Sequence, residues 1–200
     1  NRPLNELKII TLHLGSGASV AAIKDGKAFD SSMGFTPLTG LTMGTRAGDV
    51  DPAIVPFLME KEDMTAEEVM TLLNDQSGLL GISESSSDMR DIEAAWKKGD
   101  HQASLAREIF INRVVKYVGA YFAELGGIDA LVLAGGIGEH QVDLRLALLK
   151  QLRVLGIEVD EKLNQANQEG IISPKDAQIK TMLIPTNEEL QMVRQIKKEI

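Results

Sequence analysis

LKIITLHLGSGASVAAIKDGKAFDSS, residues Leu7 to Ser32, contains two short apolar runs and a third short segment, separated by glycine turns, and its reading decides the architecture. Leu7 to Leu14 and Ala18 to Lys24 are rich in β-branched and small apolar residues. Asp25-Gly26 is a two-residue hairpin signal before Lys27 to Ser32, because both residues tolerate positive φ. The spacing predicts three consecutive antiparallel strands.

Downstream, Met33 to Pro52 is dense in Gly, Thr, Pro and Asp without periodicity, which predicts a long ordered loop. Pro52 to Glu62 and Thr65 to Asn74 have helical spacing, the second opened by Thr65 with Glu68 three residues on, a capping-box pattern. A polar turn, Ser83 to Ser87, leads into a helix over Asp88 to Lys98. Asp100 then caps the longest periodic segment, His101 to Leu125, in which Ala106, Ile109, Phe110, Val114, Val118, Tyr121 and Leu125 recur on one face and Gly126-Gly127 supplies the stop. Asp129 to Ala134 reads as a strand buried on both faces, Gly135-Gly136-Ile137-Gly138 as a glycine turn, and Val142 to Arg153 as a helix. Lys180 to Ile184 is a further strand, followed by a turn at Pro185-Thr186-Asn187 and a terminal helix over Glu188 to Glu199. This order implies an α/β fold: a mixed sheet that begins with three antiparallel strands and carries helices on both faces.

The chain has 200 residues, 44% of them hydrophobic, enough for one compact domain. Its formal net charge is −8, and no basic stripe is present to neutralise a nucleic-acid backbone. Cysteine is absent, which excludes disulfides, thiolate metal sites and a cysteine nucleophile, and fits a cytoplasmic setting. No apolar run reaches the length of a membrane span. Asn1 to Lys8 contain neither an initiator methionine nor a signal-peptide core, and a strand begins almost at once; this reads as a cut between domains, the alternative being a trimmed or processed but complete protein.

Two glycine segments could face a ligand. In His13-Leu14-Gly15-Ser16-Gly17-Ala18-Ser19 the glycines let backbone N–H groups approach an anion closely; a plain tight turn is the other reading, and the spacing is not that of a Walker loop. Gly135 to Gly138 follows a strand and precedes a helix, at the carboxyl edge where ligands enter α/β sheets. It lacks the dinucleotide fingerprint and suits a flat approach by a base and sugar. Arg46, in Met43-Gly44-Thr45-Arg46-Ala47-Gly48-Asp49, either stabilises charge on a transferring phosphoryl group or forms a salt bridge with Asp49 or Asp51. Glu188 either ligates Mg²⁺ or simply begins a helix, where Thr186 and Glu189 can form a capping box. Asp88-Met89-Arg90 can be a helix cap with a surface ion pair. His101 and His140 lack metal-ligand spacing, and Trp96 and the methionines read as packing residues.

Taken together, HLGSGASVAAIKDGKAFDSSMGFTPLTGLTMGTRAGDVDPAI (His13 to Ile54), SDMRD (Ser87 to Asp91), LAGGIGE (Leu133 to Glu139) and IPTNEEL (Ile184 to Leu190) closely resemble the carboxyl-terminal half of the acetate kinase family. The match covers essentially the whole chain. It implies a ribonuclease H-like fold of the actin, Hsp70 and sugar-kinase type, with residues 1–200 forming the nucleotide-binding domain of a two-domain kinase. The implied activity interconverts ATP and acetate with ADP and acetyl phosphate. By the same resemblance His13, Leu14, Gly15, Ser16 and Gly17 match the phosphate loop, and Asp88, Met89 and Arg90, with Gly136, Ile137, Gly138, Glu139 and His140, match the adenosine segments. Arg46 matches the transition-state arginine and Glu188 the magnesium ligand. The two glycine turns are expected at opposite ends of one sheet, jointly gripping ATP. Ser16 and His140 stand where the family commonly has Asn. The family's catalytic aspartate, second active-site arginine and amino-terminal magnesium-binding asparagine belong to segments before residue 1, so the chain is expected to be inactive alone. A homodimer is implied; a propionate kinase and an isolated nucleotide-binding or dimerisation module are the alternatives.

Overall fold

The computed structural model describes residues 2–199, and for residues 188, 191, 198 and 199 the backbone alone. Three strands come first: β1 (Lys8–Leu14), β2 (Ala18–Lys24) and β3 (Lys27–Ser31). Asp25 and Gly26 take φ of 54° and 71°, the left-handed pair that matches the twist of a tight hairpin. β1 pairs antiparallel with β2, and β2 with β3.

The long loop follows, then helices α1 (Ile54–Lys61), α2 (Ala66–Asp75), α3 (Gly78–Ser83), α4 (Met89–Trp96) and α5 (His101–Leu125). Thr65 and Glu68 form the expected reciprocal capping box on α2. Asp100 accepts a hydrogen bond from the Ala103 N–H at the start of α5, and Gly126 ends it at φ 65°. β4 (Ala130–Ala134), α6 (Gly135–His140), α7 (Val142–Gln151), α8 (Glu161–Ala166), β5 (Gly170–Ile171), β6 (Lys180–Leu183) and α9 (Glu188–Glu199) complete the order.

The six strands form one sheet in the order β3-β2-β1-β4-β6-β5, with β1, β4 and β6 mutually parallel. Ile10, Leu12, Leu14, Val20, Ala22, Leu131 and Leu133 are fully buried and share one cluster with Phe110, Val114 and Val118 of α5 and Leu144 and Leu148 of α7. Each of the Val, Leu, Ile and Phe side chains contributes about 1.5–3 kcal/mol by leaving water. The alternate row, Ile9, Thr11 and His13, is only half-buried. Val69 and Leu73 of α2 form a smaller cluster with Leu38 of the long loop, which anchors that loop.

Two expectations are corrected. Gly135 to Gly138 is not a turn but most of α6. Gly135 bends the chain at φ 79°, a Cβ added at Gly138 would lie 3.8 Å from the Cβ atoms of Leu14 and Leu133, and Arg145 bonds the Gly138 and Glu139 carbonyls, so tertiary contact overrides the poor helix propensity of glycine. The two glycine segments are also not at opposite ends of the sheet. Register pairs Leu12 with Leu133 and His13 with Ala134, so both leave the same edge, side by side. The sequence reading also lacked α3, α8 and β5. Among the described residues no helix is long and apolar enough to cross a membrane.

Candidate active-site cleft

Three neighbouring parallel strands, β1, β4 and β6, end together, and the connections that follow them line one wall of a cleft. An added Cβ at Gly135 would lie 2.7 Å from the Leu14 carbonyl oxygen, so only glycine permits this approach. One carboxylate oxygen of Glu139 accepts from the Gly135 N–H (2.9 Å) and the Thr186 N–H (3.2 Å), tying the β4 and β6 exits together. That oxygen of Glu139 is therefore committed to the backbone.

The opposite wall is the segment Met43 to Arg46. Its backbone is pinned on several sides: the Gly44 N–H donates to the Ser16 carbonyl (3.2 Å), the Ser77 N–H to the Thr45 carbonyl (2.9 Å) and the Leu79 N–H to the Met43 carbonyl (2.8 Å). An added Cβ at Gly17 would sit 3.6 Å from Arg46 Nη1, so the arginine faces the glycine loop. The expected local alternative, a salt bridge from Arg46 to Asp49 or Asp51, is not formed. Arg46 Nη1 donates only to the Met43 sulfur (3.4 Å) and has no carboxylate partner among the described residues. Asp49 is instead held by Tyr117 and Arg113, and Asp51 by the Ala53 N–H.

At the third side, Asp88 caps α4 by accepting from the Arg90 N–H (2.8 Å) and pairs with the Arg90 guanidinium (2.5 Å). These bonds, the guanidinium's first and then the backbone's, hold the Asp88 carboxyl below its ordinary range. The cap-and-ion-pair reading is thus present, on a side chain that also lines the cleft. α4 is locked to α5 by the buried Arg107–Glu93 pair (2.6 Å), with the Arg107 guanidinium 4.1 Å over the Trp96 ring.

The cleft comprises three adjoining pockets. One of about 270 Å³ is lined by Ser16, Gly17, Arg46, Asp88 and Ile137; a second, of about 310 Å³, by Gly15, Arg90, Gly136, His140 and Gln141; they share Ser16, Asp88, Met89 and Ile137. A third, about 460 Å³, opens at His13, Gly136, Thr186, Asn187 and Glu189. Glu188 begins α9 beside it, but its side chain lies outside the described residues. The helix is capped by Asn187, which accepts from the Leu190 N–H (3.0 Å), not by the expected Thr186. Leu14 and Gly138 are buried beneath the cleft floor rather than exposed in it. A larger concavity of about 720 Å³ runs along α5 and α7 past Leu105, Arg113 and Gln151 and contains none of the expected site residues.

The wording and order of these segments have close counterparts. The profile of the acetokinase family matches residues 1–194. The chain belongs to that family. It is 52% identical over 198 residues to an acetate kinase of Limosilactobacillus fermentum, covering 98% of this chain and 50% of that protein. An acetate kinase of Moorella thermoacetica is 53% identical over 194 residues, covering 96% and 49%. The fold superimposes on a crystal structure of Porphyromonas gingivalis acetate kinase with a TM-score of 0.92 at 45% identity, covering 96% of this chain and 48% of that one. A propionate kinase from Francisella tularensis gives 0.87 at 43% identity, covering 92% and 47%. The chain therefore spans about half the length of these acetokinase relatives, and the ribonuclease H-like expectation for its fold agrees with the match.

One functional-looking residue escaped the sequence reading. Arg145 is 1% exposed and directs its guanidinium at the Gly138 carbonyl (2.7 Å), the Glu139 carbonyl (3.0 Å), Asn164 Oδ1 (2.7 Å), the Asn164 carbonyl (3.0 Å) and Asn167 Oδ1 (2.8 Å). It holds the end of α6, and with it the Gly136–His140 wall. Its position on the same helical face as Leu148, Leu149 and Leu152 was the available signal.

Proposed function

We propose that this chain is the carboxyl-terminal, nucleotide-holding half of a kinase that moves the γ-phosphoryl group of ATP to a short-chain carboxylate, acetate in this reading. The observation that carries it is the Arg46 guanidinium, free of any carboxylate among the described residues, facing the Gly15–Gly17 loop in a cleft that continues to Arg90 and His140. A loop of small residues admits phosphates close to its backbone, and a guanidinium matches their oxygens in a planar fork. Ser16 and Gly17 would line the phosphates. Asp88 to Arg90 and Gly136 to His140 would flank the adenosine, with Glu139 and Gly138 holding that wall in place.

The transfer is in-line: a carboxylate oxygen attacks the γ-phosphorus, the bond to the β,γ-bridging oxygen breaks, and ADP leaves with that electron pair. No proton is needed at the nucleophile and no covalent enzyme intermediate forms. Arg46 would bind the equatorial oxygens as charge redistributes over them. Mg²⁺, when bound, neutralises phosphate charge. Mg²⁺ is commonly held by few protein ligands together with phosphate and water. Glu188 would be that ligand.

In this reading residues of the complementary half complete the site, the enzyme is a cytoplasmic homodimer, and the 200-residue chain alone binds Mg-ATP without turnover. Hydroxylamine trapping of acyl phosphate tests it. Acetyl phosphate from the full-length protein and none from the isolated chain is expected. Robust product from the isolated chain overturns the half-site reading, and none from the full-length protein with either acid overturns the kinase. Propionate is the second acceptor to assay, because the Francisella tularensis relative is named for it.

A further inference from the structure

Arg46 sits in a ten-residue loop whose two ends meet. The Asp49 N–H donates to the Gly40 carbonyl (3.0 Å), and the Gly40 N–H returns a bond to Asp49 Oδ1 (2.8 Å). Gly40 and Gly48 take φ of 98° and 76°, and an added Cβ would lie 2.3 Å from the Ser32 carbonyl oxygen at the first and 2.7 Å from the Gly40 carbonyl oxygen at the second. The neck of the loop is thus a close backbone contact closed by one aspartate.

That aspartate is bonded in turn to the core helix. Tyr117 donates its hydroxyl to Asp49 Oδ2 (2.7 Å), Arg113 Nη2 donates to the Asp49 carbonyl (2.6 Å), and Arg113 Nη1 lies 3.5 Å from Oδ2. Every polar atom of Asp49 is therefore engaged. Val114 and Val118, beside these two residues on α5, are fully buried, so the clamp is referenced to the packed core of the fold. Burial, and then the bond to Asp49, push the Tyr117 hydroxyl up to about 12, so it stays a donor at neutral pH.

We propose that Asp49, clamped by Tyr117 and Arg113, is a positioning residue for Arg46. The inference rests on the reading of Arg46 as the phosphoryl-stabilising arginine. The clamp does two things at once. It fixes the loop neck three residues from Arg46, and it occupies the carboxylate nearest in sequence, which would otherwise pair with Arg46 and withdraw it from phosphate. An arginine with only a sulfur contact of its own takes its orientation from the backbone that carries it, so small shifts at the neck reach the guanidinium.

The test uses full-length protein carrying Tyr117→Phe or Asp49→Asn, alone and combined with Arg46→Ala. Tyr117→Phe removes one hydroxyl and leaves the ring packed against Tyr121. It should lower kcat about tenfold while the KM for Mg-ATP changes less than about twofold, because orientation of the transition-state group is lost and ground-state binding is not. Combined with Arg46→Ala it should cost nothing further, since there is then no guanidinium to aim. Asp49→Asn should show the same non-additivity. Unchanged kcat in Tyr117→Phe, or an equal loss with Arg46 already removed, overturns the proposal. A wild-type rate in Arg46→Ala alone instead overturns the underlying reading of Arg46, so the two failures are distinguishable.

Discussion

Arg46→Ala in the full-length enzyme is expected to lower kcat by about 10³- to 10⁵-fold, the range seen for arginines that stabilise a transferring phosphoryl group. The physical reason is differential binding. In a loose transition state the γ-phosphoryl charge spreads over three equatorial oxygens, and a guanidinium placed across them gains more there than in the ground state. Arg46 is suited to this because nothing acidic among the described residues neutralises it and because its loop backbone is bonded to Ser16, Ser77 and Leu79. Arg46→Lys should recover little, since an ammonium is a point charge without the planar fork. Steady-state kinetics with Mg-ATP and acetate measure both. An Arg46→Ala enzyme within about tenfold of wild type removes the arginine from the mechanism.

Arg145→Met should destabilise the chain by about 3–5 kcal/mol, a large fraction of a domain's net stability. Methionine approximates the volume of the arginine stem but offers no donors. Five oxygen contacts, from Gly138, Glu139, Asn164 and Asn167, would lose their partner, three of them in the buried interior. Burial pulls the Arg145 pKa below its usual value, yet the group is held by carbonyl and amide oxygens alone, so charge–dipole bonding offsets its desolvation. Urea unfolding followed by circular dichroism gives the midpoint shift at constant slope. A loss under about 1 kcal/mol would show that α6 does not depend on this contact.

The strands and most helices were legible because their signals are local. The Asp25-Gly26 hairpin, the Thr65–Glu68 capping box and the Asp100 cap of α5 each depend on residues a few positions apart, and each formed where the sequence places it. The spacing of Ala106, Phe110, Val114 and Val118 set the buried face of α5 for the same reason. What failed was non-local. Gly135 to Gly138 reads as a turn by propensity, and distant neighbours, the Arg145 bonds to the Gly138 and Glu139 carbonyls among them, hold it as a helix. Adjacency of the two glycine segments follows from parallel pairing of β1 with β4, across more than a hundred residues. The local salt-bridge alternative for Arg46 failed for the same reason, since Asp49 is held by Arg113 and Tyr117, 64 and 68 positions away. Thr186 likewise lost its expected capping role when its N–H went to Glu139, leaving Asn187 to cap α9. Segment order and wording supplied the family, where single motifs left two readings each.

Co-crystallisation of this chain with a non-hydrolysable ATP analogue and Mg²⁺ measures the central point directly. The triphosphate should lie along Gly15 to Gly17 with a γ-oxygen in hydrogen-bond reach of Arg46, and the base between Arg90 and the Gly136–His140 helix. Density for the nucleotide in the groove between α5 and α7, or none anywhere at saturating concentration, would contradict the account.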